Sequence, residues 1–215
     1  MTIDTLGAVI GFAVLLLSLT VHEAAHAWTA DKLGDPTARV LGRVSLNPLV
    51  HIDWIGTVLL PLLAAISHLP LIGWAKPVPV NLRNLREPRR DFMLVAAAGP
   101  ISNLLQAIVW AAILRAVVAL APATLSQHDT SALLFQSVLL LGIQINLLLA
   151  FYNLIPVPPL DGGNVLLGLL PPRLAVAYGQ LRQYGFIVLY ALMFTGLASA
   201  WIRPPTNFFM RVLLP

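Results

Sequence analysis

Five stretches of the chain, Thr5 to His22, Trp54 to Ala75, Phe92 to Leu114, Thr130 to Leu160 and Gln183 to Ile202, contain no Lys, Arg, Asp or Glu. Roughly 20 apolar residues cross the hydrocarbon core of a bilayer as a helix, so each stretch is long enough to enter one. Inside lipid every backbone polar group must be satisfied within the protein, which favours helices for such segments. Composition agrees, with 58% hydrophobic residues, 10% charged residues and a mean hydropathy of +0.83, whereas about a quarter of a soluble domain is charged. There is no cysteine. Disulfides, thiolate metal ligands and thiol nucleophiles are therefore excluded, and any chemistry falls to His, carboxylate or hydroxyl groups. The formal charge of +4 and pI near 10 would suit a nucleic-acid binder, but no lysine-rich tail exists and the arginines sit between apolar runs, so membrane topology explains them better.

The first stretch is not read as a secretory signal, because no Lys or Arg precedes it and a charged sequence follows where a small-residue cleavage site belongs. The pattern predicts an all-α polytopic membrane protein forming one domain over 1–215, with helices over about 6–30, 92–120, 131–155 and 183–202. Polar or basic connections run from Asp31 to Asp53 and from Lys76 to Asp91, and a short uncharged one from Ala121 to Gln127. Pro156, Pro158 and Pro159 break the helix that begins near Ser131. A broken helix at membrane depth is tolerated only where its freed backbone groups are covered by protein or face water, so residues 153–163 are expected to line a cavity.

Ionisable groups within a membrane span are costly, and His22-Glu23-Ala24-Ala25-His26 places three in five positions of the first one. A spacing of four brings both imidazoles to one helix face, where they can share one tetrahedral zinc, and Glu23 beside them can take a proton from the attacking water. The alternative is a pair of core histidines bonded to neighbouring groups, with Glu23 a local partner. A zinc hydrolase needs a third protein ligand and an open position. Asp161 is the candidate: it follows the proline break and a charge-free run, and Gly162-Gly163 let the backbone turn tightly beside it. The alternative for Asp161 is a turn or helix cap. His51 and Asp53 lie two apart and do not share a helix face, so they read as interfacial or supporting residues; His68 and His128-Asp129 read as interface or loop residues.

With these motifs stand Ala98-Gly99-Pro100-Ile101-Ser102-Asn103 on the middle helix and Asn153-Leu154-Ile155-Pro156-Val157-Pro158-Pro159-Leu160-Asp161-Gly162-Gly163 at the break. As a set, over about 22–163, they resemble the site-2 protease family of intramembrane zinc metalloproteases. Two departures from the family's pattern are expected: HEAAH lies on the first span, and the form is minimal, without a PDZ or CBS domain. The resemblance implies His22, His26 and Asp161 as zinc ligands, Glu23 as the catalytic acid/base, and Asn153 as the group holding the substrate carbonyl or its oxyanion. Asn103 matches a polar residue of the family's middle helix, in a structural or substrate-contacting role.

Topology follows from parity. If His22 and Asp161 meet at one depth, the first helix and the segment 130–160 end on the same side of the bilayer, and the helix over 92–120 begins on that side. The stretch over about 52–75 must then leave and return, so it is expected to be re-entrant or paired with the following segment, with Pro61, Pro70 and Gly73 as bending points. Ten of the basic residues, Lys32, Arg39, Arg43, Lys76, Arg83, Arg86, Arg89, Arg90, Arg173 and Arg182, fall on that side, against Arg115, Arg203 and Arg211. By the positive-inside tendency it is the cytoplasm. His22 lies roughly 13 Å along the helix from Asp31, which puts the metal within the membrane near the cytoplasmic face, in a bacterial cell membrane.

The expected activity is endopeptidase cleavage of transmembrane segments of other membrane proteins. A substrate helix must unwind and be held extended for attack. Residues 73–81 form a short extended or β segment in which Pro77 and Pro79 remove donors from one edge, leaving the amides of Lys76, Val78 and Val80 for strand addition to substrate; the alternative is a rigid proline-rich loop without a partner. Rival functions are a membrane metal-ion transporter, which gives no special reason for a Glu after the first His, and a catalytically silent membrane-helix-binding protein.

Overall fold

A computed structural model describes residues 3–60, 62, 63, 73–120 and 130–214. Every regular element among them is helical. The principal helices are α1 (Ile3–Lys32), α2 (Thr37–Val40), α3 (Pro88–Leu120), α4 (Thr130–Asn153), α5 (Asp161–Leu169), α6 (Pro172–Gly179), α7 (Gly185–Phe194) and α8 (Leu197–Leu213). Three of them, α1, α3 and α4, are long and apolar enough to cross a membrane, and the bent pair ending in α7 and α8 makes up to four. The chain is an integral membrane protein.

The packed centre is built where α3 meets α4 and α8. Ala107, Ala111 and Leu114 of α3 face Leu139, Ile143 and Leu147 of α4, and Gly142 lets the ring of Trp110 sit directly against the α4 backbone, where a Cβ would collide with it. Small residues at such a crossing allow two helices to approach closely in lipid, where association rests on packing. On the other side α1 packs on α3 and α4. Most remaining large apolar side chains point outward, as a lipid-facing surface requires.

Where one helix is expected over 183–202, the chain instead makes a short 3-10 turn, Gln180–Tyr184, then α7 and α8, bent by 71°. The break is at Gly196, whose φ of +78 lies in the left-handed region that favours glycine. The pair still traverses the bundle. Gly185 abuts the carbonyl of Pro158, while the carbonyls of Val212 and Leu213 at the end of α8, and of Leu214 just beyond it, accept hydrogen bonds from Arg115 near the far end of α3.

The stretch over 52–75 opens with a π-helical turn, Trp54–Leu59, capped by the Asp53 carboxylate, which accepts from the amides of Ile55 and Gly56. Its two ends meet: Trp74 N–H donates to Gly56 O at 3.1 Å, and the Thr57 hydroxyl donates to Trp74 O at 2.8 Å. The expected bending points Pro61 and Pro70, and His68, lie outside the described residues, as do His128 and Asp129. Residues 73–81 run without helix or strand.

Candidate metal centre

His22 and His26 sit one turn apart on α1, and Asp161 is the first residue of α5. The three converge. His22 Nε2 and His26 Nε2 are 3.1 Å apart, and Asp161 Oδ2 lies 3.2 Å from the first and 3.4 Å from the second. All three groups are largely buried. Both other ring nitrogens are committed. His26 Nδ1 donates to the carbonyl of Val95 at 2.7 Å, and His22 Nδ1 meets Asn103 Oδ1 at 2.6 Å. With protons on the Nδ1 atoms, the neutral imidazoles turn their Nε2 lone pairs toward each other and toward a carboxylate oxygen that is buried without a hydrogen-bond donor.

Three facing electron-pair donors repel unless a cation lies among them. Ligands 2.0 to 2.1 Å from a tetrahedral zinc stand about 3.3 Å from one another, and the three separations here bracket that figure. The donor set of two imidazoles and one carboxylate leaves the fourth position for water or substrate, as in hydrolytic zinc sites.

The local sequence explains why the groups can meet. Gly99 of α3 lies against both imidazoles, and a Cβ there would collide with His26 Nε2 and His22 Cε1. Pro100 next to it lacks an N–H, so it gives no intrahelical hydrogen bond to the carbonyl of Ala96 one turn back. Gly162 and Gly163 act differently from the tight turn expected of them. Both are helical residues of α5, and their missing side chains admit the backbone of Leu154, Ile155 and Pro158, which a Cβ on either would strike. The break thereby folds back tightly enough to bring Asp161 to α1.

A cavity of about 640 Å³ opens on the three donors. Glu23 and Asn153 line it, with Val78 and Val80 on its wall. Asn153 donates one amide hydrogen to Leu149 O at 3.0 Å. Asn103 stands apart from the expectation of substrate contact: it is fully buried, with its amide spent on His22 and Asn146. Lys76 also differs. Its amide, expected to be open to substrate, donates to His51 O at 2.9 Å. The amides of Val78 and Val80 have no partner among the described residues.

His51 and Asp53 take no part in the donor cluster. His51 Nε2 donates to Ser45 O at 2.8 Å, and its other nitrogen faces the guanidinium of Arg43. Arg43, buried at 5% exposure, reaches the carbonyls of Lys76 at 2.5 Å and Pro77 at 3.2 Å. Burial holds Arg43 below its ordinary pKa while the charge of Glu23 acts in the opposite sense. Asn146, Ser18 and the cavity-lining Asn164 were not singled out from the sequence, and Arg43 was named there only as a charge that sets topology. The signal for Asn146 was available, since an amide in the middle of an apolar span is itself costly.

The sequence model of Peptidase family M50 matches residues 10–196. The chain belongs to this family. Among curated relatives, "Putative zinc metalloprotease YwhC" of Bacillus subtilis is 41% identical over 193 residues, covering 90% of this chain and 84% of that protein. "Putative zinc metalloprotease Rip2" of Mycolicibacterium smegmatis is 30% identical over 188 residues, covering 86% and 67%. No solved structure matches. Membership in family M50 makes this a metalloprotease-family protein, and the His22, His26 and Asp161 constellation is where its sequence and its geometry coincide.

Proposed function

We propose that the protein is a zinc-dependent endopeptidase that cleaves transmembrane segments of other membrane proteins within the bilayer of a bacterial cell, with one zinc per chain held by His22, His26 and Asp161. The observation that carries this reading is the convergence of three electron-pair donors at 3.1 to 3.4 Å, on a cavity that also exposes Glu23. Zinc at such a site polarises a peptide carbonyl and eases deprotonation of water. Glu23 receives the proton of the attacking water and returns it to the leaving amine. Asn153, with one amide hydrogen uncommitted, stabilises the oxygen on which negative charge develops.

The unpaired amides of Val78 and Val80 hold the unwound substrate by strand addition along the cavity wall. The hydrogen bonds between Trp74 and the Gly56–Thr57 turn support a re-entrant path for the intervening stretch, because they return the chain to where it left. The distribution of positive charge supports a metal site in the cytoplasmic half of the membrane.

The test is cleavage of a transmembrane reporter by purified protein in detergent, with zinc content measured in parallel. Wild type is expected to cut and to stop with chelator. Glu23→Gln should keep zinc and lose cleavage, and Asp161→Ala should lose both. An active Glu23→Gln protein removes Glu23 from the proton-transfer role, and full zinc retention in Asp161→Ala removes Asp161 from the ligand set.

A further inference from the structure

Behind His22 runs a chain of hydrogen bonds between groups that are all but inaccessible to solvent. Asn103 Nδ2 donates to Asn146 Oδ1 at 2.9 Å and approaches Ser18 O at 3.5 Å. Asn146 Nδ2 donates to Gly142 O at 2.9 Å and to Ser18 Oγ at 2.9 Å, and the Ser18 hydroxyl donates to Val14 O at 2.8 Å. Asn103 and Asn146 are 0% exposed and Ser18 is 1%.

The chain of bonds has one direction. A backbone carbonyl only accepts, so Gly142 O requires the nitrogen of the Asn146 amide, and the Asn146 oxygen must then face Asn103. Asn103 is obliged to present its own nitrogen to that oxygen, which leaves its oxygen for His22. An amide oxygen also only accepts, so the proton between Asn103 and His22 belongs to His22 Nδ1. The reverse orientation of either amide would set oxygen against oxygen at 2.9 Å inside the protein, at the cost of leaving buried polar groups unpaired.

We propose that Asn146 is a positioning residue for the metal site. Acting through Asn103, it fixes the His22 tautomer with the proton on Nδ1 and the lone pair on Nε2, the atom that faces His26 and Asp161. This rests on the zinc-site reading above. His26 reaches the same tautomer in one step through Val95 O, whereas His22 depends on a relay that begins on α4. The relay ties the metal-binding helix to a helix that contributes no ligand.

The test reads zinc affinity by competition with a chromogenic chelator, independently of proteolysis. Asn146→Leu should weaken zinc binding about 10- to 100-fold, the usual effect of losing a partner behind a metal ligand. Asn146→Asp in its protonated form, with the hydroxyl donating to Gly142 O, keeps an acceptor oxygen toward Asn103 and should stay within about threefold of wild type. Asn103→Leu should be weakened at least as much as Asn146→Leu, and the double variant no further than Asn103→Leu alone, because Asn146 acts through Asn103. A folded Asn146→Leu protein with wild-type affinity, additive losses in the double variant, or an Asp variant as weak as Leu would each overturn the relay. Absence of zinc binding by wild type would instead overturn the metal-site reading beneath it. Nitrogen-15 NMR of histidine-labelled wild type supplies a readout that needs no variant: His22 Nδ1 should stay protonated with zinc bound or stripped, and a bare Nδ1 in the stripped protein overturns the proposal.

Discussion

The residue on which the metal site most depends sterically is one with no side chain. Gly99 touches both imidazoles, and a methyl group there has nowhere to go except into the rings. Gly99→Ala should therefore weaken zinc binding by about tenfold or more and reduce cleavage accordingly. Gly7→Ala, at a position where a Cβ meets nothing within 4 Å, serves as the control and should leave both unchanged. Equal zinc affinity in the two variants would mean the rings accommodate the methyl. At this scale the sequence was legible where residues are ionisable. His22, Glu23, His26 and Asp161 stand out in an apolar text because charge in lipid is costly. Asn103 and Asn146 were harder to read, since an amide donates and accepts at once and its role emerges only when its neighbours in space are known.

At the scale of elements, the segment 73–81 is held in two ways that the sequence did not reveal. Its beginning is fastened to the 51–57 turn, and its end is gripped by Asp35, a fully buried carboxylate that accepts from the amide of Asn81 at 2.6 Å, the side chain of Asn84 at 2.9 Å and the hydroxyl of Thr37 at 2.5 Å. Burial alone would raise the Asp35 pKa, but these hydrogen bonds outweigh it and hold the carboxyl below its ordinary value. A depressed folded-state pKa gives stability that is complete above about pH 4, the unfolded value, and is lost as pH falls through the folded one. Melting temperature in detergent should consequently drop on acidification below about pH 4, and Asp35→Asn should lower it at neutral pH by an amount equivalent to about 1 to 3 kcal/mol while flattening the acid-side decline. An unchanged acid profile in Asp35→Asn would assign that decline to other carboxylates.

Between those two anchors lie the unpaired amides. Val78→Pro removes one donor and should impair cleavage about tenfold more than Val78→Ala, a difference of roughly 1.4 kcal/mol that suits the loss of one hydrogen bond. Equal kcat/KM for the two variants rules out backbone pairing at that position. Proline spacing made this segment visible in the sequence as extended, and alternation assigned Lys76 the same role as its neighbours. Only the structure reveals that the Lys76 amide is already taken by His51. The bend between α7 and α8 was missed for a related reason. Apolar periodicity continues through Gly196, and nothing local distinguishes a glycine that packs within a helix from one that ends it at positive φ.

For the whole molecule, the proposed topology can be checked without background labelling, because the chain has no native cysteine. Single cysteines introduced at Arg83 and at Leu120, both exposed and at opposite ends of the α3 region, should react with a membrane-impermeant maleimide from opposite faces of the membrane, position 83 from the cytoplasm. Reaction of both from one face would reverse the parity argument. The three long spans α1, α3 and α4 were within reach of hydropathy alone, since bilayer thickness imposes a length on every span. The expectation for 52–75 came from counting sides, not from any local signal.

The grip of Arg43 on the Lys76 and Pro77 carbonyls divides the labour of the cavity between separate parts of the chain. Its floor, where the ion belongs, hangs from α1, α3 and α5, while its rim is moored to the polar connection beyond α1 by the Arg43 guanidinium, the Asp35 carboxylate and the His51 carbonyl. The contacts that hold the rim are thus separate from those that hold the imidazoles, since none of them involves a donor of the His22, His26 and Asp161 cluster.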